Sequence, residues 1–176
     1  IQGQEQPGIY VRDLLSGQER LLVDSSAMEP NVSAGIYRIS PDGSLLAYDL
    51  RRGGGDRVSI HFVTTDPGGF LPDRIDVGYA RGLVFAEDCR GFYYCQEPSG
   101  VEGEHQIRSH RFGGATLDHV IFRAVRTHDS RLVLTADSVH LGAIWVHGHP
   151  ALADFWIARL SDPTDWSLVF ANKRLP

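Results

Sequence analysis

One turn phrase is written three times along this chain: Ser40-Pro41-Asp42-Gly43, Glu87-Asp88-Cys89-Arg90-Gly91 and Thr127-His128-Asp129-Ser130. Each copy lies between short apolar and aromatic runs, and its Asp recurs after 46 and then 41 residues. A repeat of about 40–50 residues built from strands predicts β-propeller blades, because one four-stranded sheet leaves two faces to cover and must stack on neighbours. The phrase also has a local reason, since Asp-Gly suits a tight hairpin that needs positive φ. The predicted fold is all-β, a partial propeller of about three four-stranded antiparallel blades plus a half blade.

The strands follow from the turns. Ile36-Tyr37-Arg38-Ile39 enters the first turn and Leu45 to Leu50 leaves it; Val58 to Val63 alternates apolar and polar residues as a half-exposed strand does, and Leu71 to Val77 forms the outer strand, where Pro72 is tolerated. The next blade repeats the plan with Gly82 to Phe85, Gly91 to Cys95, Gln106 to Phe112 and His119 to Ala124. In the third, Arg131 to Thr135 reads as the second strand, Phe155 to Leu160 as the third and Trp166 to Phe170 as the fourth, with Ala151 to Asp154 as a helical turn. Ile9 to Asp13 and Glu19 to Val23 match only the outer two strands of a blade. The expected divisions are a half blade over 8–24 and blades over about 36–77, 82–125 and 126–171, all in one propeller segment. Tyr10, Ile60, Ile107 and Trp156 begin equivalent third strands at spacings of 50, 47 and 49 residues. No segment sustains the i, i+3, i+4, i+7 apolar pattern of a helix.

Composition narrows the class of partners. A net charge of −5 argues against nucleic acid, whose binders carry a basic face. No apolar run is long enough to span a membrane as a helix. The first residues, Ile1 to Pro7, lack the apolar region of a signal peptide and a starting Met, so the expectation is a piece of a longer protein. Cys89 and Cys95 flank one hairpin and read as two free thiols, which leaves the compartment open and leans towards a reducing one, the cytoplasm.

The order of these phrases resembles the amino-terminal propeller of the prolyl oligopeptidase family. The residues that carry the resemblance are Ile9 to Asp13, Ser40-Pro41-Asp42-Gly43-Ser44-Leu45-Leu46-Ala47-Tyr48, Asp56 to Phe62, Leu71-Pro72-Asp73, Val84 to Asp88 with Gly91 to Tyr94, and His105 to Gly113. The resemblance implies a serine peptidase in which a seven-bladed propeller covers an α/β-hydrolase domain and admits only short peptides. The hydrolase domain, a partner of the propeller there, supplies the nucleophile. This sequence contains no G-x-S-x-G elbow, so catalytic residues are none and the chain alone is not expected to hydrolyse peptides. One departure from the family pattern is the connection after Ala124, where only Val125 and Arg126 precede the turn in place of a loop and an inner strand, so that either a tight variant forms or a segment is omitted.

Candidate chemistry is sparse. By the same resemblance, residues just before the inner strand of the second blade line the outer substrate subsites, which assigns substrate contact to Tyr79 and Arg81. His147-Gly148-His149 would set two imidazoles on one face of a strand, but no third ligand has a recognisable spacing, and neither a metal nor another cofactor is expected. Asp137, Ser138 and His140 name the ingredients of a hydrolytic triad, which is defined by spatial roles rather than adjacency. The turn aspartates are better explained by hydrogen bonds to nearby backbone than as acid/base groups. Phe92-Tyr93-Tyr94 and Ile144-Trp145 read as core rather than stacking platforms.

The leading expectation is a fragment of the gating propeller of a prolyl-oligopeptidase-like serine peptidase whose parent cleaves short peptides after proline. The alternatives are a noncatalytic binding scaffold and the propeller of a relative that cuts after basic residues. A partial ring also leaves blade faces and strand edges uncovered, which predicts self-association of the chain.

Overall fold

In the computed structural model, which describes residues 8–79, 81–97, 103–114 and 118–175, the regular elements are strands, apart from one short 3-10 turn at Ser25–Ala27. The chain divides after Tyr79 into two compact units. In the first, β1 (Ile9–Arg12) pairs antiparallel with β2 (Glu19–Val23), and a separate four-stranded meander runs β3 (Val32–Ile39), β4 (Leu45–Arg52), β5 (Arg57–Thr64) and β6 (Phe70–Tyr79). The second holds two more meanders. One is β7 (Leu83–Phe85), β8 (Gly91–Gln96), β9 (Glu104–Arg111) and β10 (His119–Val125); the other is β11 (Arg131–Ala136), β12 (His140–His147), β13 (Leu152–Arg159) and β14 (Asp162–Arg174). Three four-stranded antiparallel blades and a two-stranded half blade are therefore present among the described residues.

Position within a blade explains the burial patterns. On β4 the run Leu45 to Asp49 is buried without alternation, because a central strand is covered on both faces. On β5, Val58, Ile60 and Phe62 are buried at every second position while Ser59 and His61 are partly exposed, the period of a pleated strand. Ile9, Leu22 and Val23 of the half blade close one core with Leu46, Tyr48 and Val63 of the next sheet. In the second unit Val84, Cys95, Ile107 and Ala124 meet Leu132, Leu134, Leu141 and Ala143, so each sheet supplies the cover that its neighbour lacks. The middle pairs β4–β5, β8–β9 and β12–β13 run in unbroken register, whereas the outer pairs β5–β6, β9–β10 and β13–β14 carry shifts. Shifts of this kind increase the local twist of an outer strand.

The third blade corrects the sequence reading. Arg131–Ala136 is its first strand, not its second, and the second is His140–His147, a segment the sequence reading left unassigned, which pairs with β11 over Leu141 to Val146 and with β13 over its whole length. The Thr127 to Ser130 turn therefore lies ahead of the blade. Its place in the hairpin is taken by Asp137, whose Oδ1 accepts from Val139 N at 2.7 Å. Asp42 accepts from Ser44 N at 3.0 Å and Asp88 from Arg90 N at 2.9 Å, the same two-residue reach inside the hairpins β3–β4 and β7–β8. Counted on Asp42, Asp88 and Asp137, the intervals are 46 and 49 residues, and the shortened interval vanishes. The expected helical turn is also overturned: after the turn at Ala151, Leu152 to Asp154 are strand, with Ala153 paired to Val146. Asp154 is buried there because its Oδ1 takes His147 Nε2 at 3.2 Å and the Asn172 amide at 2.6 Å, tying β12, β13 and β14 together.

Gly82 shows how closely the blades approach. Its φ is +122°, and a Cβ there would sit 2.2 Å from Leu134 O, beside the hydrogen bond from Leu134 N to Arg81 O at 2.9 Å. Gly82→Ala combines backbone strain with a backbone clash and is expected to cost about 3 kcal/mol or more. Gly113→Ala, also at positive φ but with open space around it, is expected to cost about 1 kcal/mol. Urea unfolding of both variants reads the difference.

The Asp137 carboxyl is held below the usual aspartate range by the Val139 amide and then the His140 amide. A carboxyl lowered by folding stabilises the native state above its unfolded value and loses that contribution as pH falls through its folded value. Asp137→Ala should therefore melt earlier than wild type at neutral pH, with the gap closing in acid below the ordinary aspartate range. Asp129→Asn, outside the hairpin, should melt close to wild type at neutral pH.

Candidate functional site

The two residues expected to meet substrate fall in different units. Tyr79 closes β6 opposite Arg57, 44% exposed, after Gly78 turns the backbone at φ +79°. Ala80 lies outside the described residues. Arg81 opens the second unit, and its Nε donates to Glu97 Oε1 at 2.9 Å.

Around Glu97 the second unit gathers a polar chain that sequence reasoning missed. Glu97 follows β8, and its Oε2 stands 3.4 Å from Nδ1 of His105 on β9. His105 is only 2% exposed, and its Nε2 reaches Ser130 Oγ at 3.0 Å. Ser130 Oγ in turn accepts from Thr127 N at 2.8 Å and lies 2.9 Å from Thr127 O, closing the turn that precedes β11. Burial alone would raise the Glu97 carboxyl. Hydrogen bonds from His105 and then Arg81 outweigh it, so the carboxyl lies below its ordinary value and the pair with Arg81 is ionised at neutral pH. One signal for this chain was present in the sequence: His105 shares the inward face of its strand with Ile107, and a polar ring at such a position needs partners.

The second polar cluster lies on β8, β9 and the residue just ahead of β10. Tyr94 donates to Asp118 Oδ2 at 2.6 Å, His110 Nδ1 meets Asp118 Oδ1 at 2.7 Å, and the His110 ring packs on Phe92 with centroids 4.8 Å apart. Burial, then the Asp118 bond, raises the Tyr94 phenol above its usual value, so it stays protonated and donates. His110 and Asp118 also line a cavity of about 580 Å³ with Phe92, Tyr93 and Leu160.

The other sequence candidates resolve into structure. His147 stacks on Trp145 at 3.9 Å and binds Asp154, while Gly148 at φ +73° turns the chain, so His147 and His149 do not share one strand face. Asp137 and His140 belong to the hairpin turn, with side chains 3.4 Å apart and exposed, and Ser138 is not drawn into a relay with them. Phe92 and Tyr94 are buried, and Trp145 packs against the core of the second unit. Cys89 and Cys95 are unbridged; Cys95 is buried, and its thiol is pushed up to about 12 by desolvation.

Known proteins match this arrangement from end to end. The family model for the prolyl oligopeptidase N-terminal β-propeller domain covers residues 1–174. A solved prolyl endopeptidase superposes over 95% of this chain and 26% of its own, with a TM-score of 0.79 and 26% identity. Prolyl oligopeptidase B from Galerina marginata, solved with a 25mer macrocyclization substrate, superposes over 98% of this chain and 29% of its own, with a TM-score of 0.74 and 18% identity. In sequence, dipeptidyl aminopeptidase BI from Pseudoxanthomonas mexicana is 27% identical over 108 residues, 59% of this chain and 15% of the relative. The chain thus spans about a quarter of the solved relatives and a smaller share of the curated one. By the match of residues 1–174 to the family model, the chain belongs to the prolyl oligopeptidase family and forms part of its N-terminal β-propeller domain.

Proposed function

We propose that this chain is part of the propeller that gates a serine peptidase cleaving short peptides after proline. The observation that carries this reading is the likeness to a prolyl endopeptidase over 95% of the chain. The α/β-hydrolase domain of the same protein would supply the nucleophile, and the propeller would exclude folded proteins by its narrow axis. Tyr79 offers an exposed aromatic face and Arg81 a guanidinium to the peptide. The test is to express the full-length protein and offer it short chromogenic peptides ending in proline, in arginine or in alanine. Cleavage after proline, with an intact folded protein left uncut, is the expected result. Preference for arginine would replace this reading with a basic-specific relative, and no cleavage of any peptide with a peptide-binding full-length protein would replace it with a scaffold.

We further propose that the chain by itself associates into dimers or larger assemblies. The support lies on β14, the outer strand of its sheet, where Leu168 and Val169 are each 52% exposed and the strand lacks a partner on its outer side among the described residues. Sedimentation velocity over a range of concentrations should show a species heavier than the monomer. A folded monomer throughout would rule this out.

A further inference from the structure

We infer that Glu97 is a specificity-determining residue: by neutralising Arg81 it keeps this edge of the propeller from favouring acidic peptides. The inference rests on the reading of Arg81 as a peptide contact. A guanidinium standing alone at a peptide-facing position selects carboxylates, because opposite charges within a few ångströms attract strongly where water is partly excluded. Arg81 does not stand alone. Its Nε, the nitrogen nearest the backbone, is engaged by Glu97 Oε1 at 2.9 Å, and the two side chains are only 26% and 14% exposed. To an approaching charge the pair is a compact dipole, whose field falls off faster with distance than that of a single cation.

Glu97 is also prevented from swinging away. Its second oxygen faces Nδ1 of the buried His105, and His105 is braced through Ser130 Oγ against the backbone of Thr127. The anchor therefore comes from β9 and the connection β10–β11, whereas the cation comes from the connection into β7. This arrangement makes Glu97 a positioning residue and a charge mask together, with His105 and Ser130 acting through it. No group in the chain needs to move for the mask to work.

The experiment uses the full-length protein and short proline peptides that differ only in one upstream residue, aspartate or asparagine. The quantity read is the Asp/Asn ratio of kcat/KM at low and at physiological salt. In wild type the ratio should be near one. Glu97→Gln, nearly isosteric and still able to accept from Arg81, should raise it about five- to tenfold, and more at low salt. Arg81→Gln, which uncovers Glu97, should lower it, and the double variant should return it close to the wild-type value. His105→Gln, which loosens the anchor but keeps both charges, should move the ratio far less than Glu97→Gln. Should Glu97→Gln not fold, Glu97→Asp withdraws the carboxylate and should give a smaller rise. An unchanged ratio in the Glu97 variant, or an equal loss on both peptides, overturns the inference while a shift in Arg81→Gln leaves the contact reading standing. If Arg81→Gln changes neither KM nor the ratio, the contact reading falls and the inference with it.

Discussion

Everything in this molecule depends on sheets covering one another. A four-stranded meander buries little by itself, because its central strands are apolar on both faces and each face needs a partner. In the second unit the partner is the next blade: Ile107 and Leu141, both fully buried, belong to different sheets and to the same core. In the first unit the half blade does this service for β4 and β5 through Val23, also fully buried. Gly82 at the meeting of β7 and β11 follows from the same demand, since the inner strands come close enough for backbone to hydrogen-bond backbone.

Polar groups are kept where this packing leaves gaps at the ends of strands. The Arg81–Glu97–His105–Ser130 chain and the Tyr94–Asp118–His110 cluster both sit where strands enter or leave loops, and both contain a buried or half-buried charge with named partners. Such groups are costly to bury unpaired and inexpensive when every lone pair and proton is used. That economy lets a blade hold ionised groups at its strand ends without opening its core. It also means that a charge read in isolation from the sequence, as Arg81 was, has a different field once its partner is known.

Local chemistry was legible and pairing was not. The Asp42 and Asp88 turns and the anchors Ile60, Ile107 and Trp156 all lie where the residue pattern put them, because turn preference and strand alternation act over a few neighbouring residues. The third hairpin escaped for an equally local reason. Leu141-Gly142-Ala143 on β12 is buried without alternation, so it carries no period-two signal, and the Thr127 to Ser130 turn is a closer copy of the phrase than the hairpin at Asp137. Only the register of β11 on β12 decides between the two aspartates. The polar chain at Glu97 escaped because its members lie on three connections and on β9, well separated in sequence, with one inward histidine as their only advance notice.

The sequence by itself therefore determined the all-β class, the blade repeat and the family, since these rest on turn residues, alternation and the order of short motifs. Tertiary structure decided which Asp closes the third hairpin, that the third blade keeps its inner strand, and that Arg81 is paired with Glu97. The physical reason is the same for all three. Each is settled by which distant segments lie side by side, and that is a property of strand pairing and blade stacking rather than of any short stretch of chain.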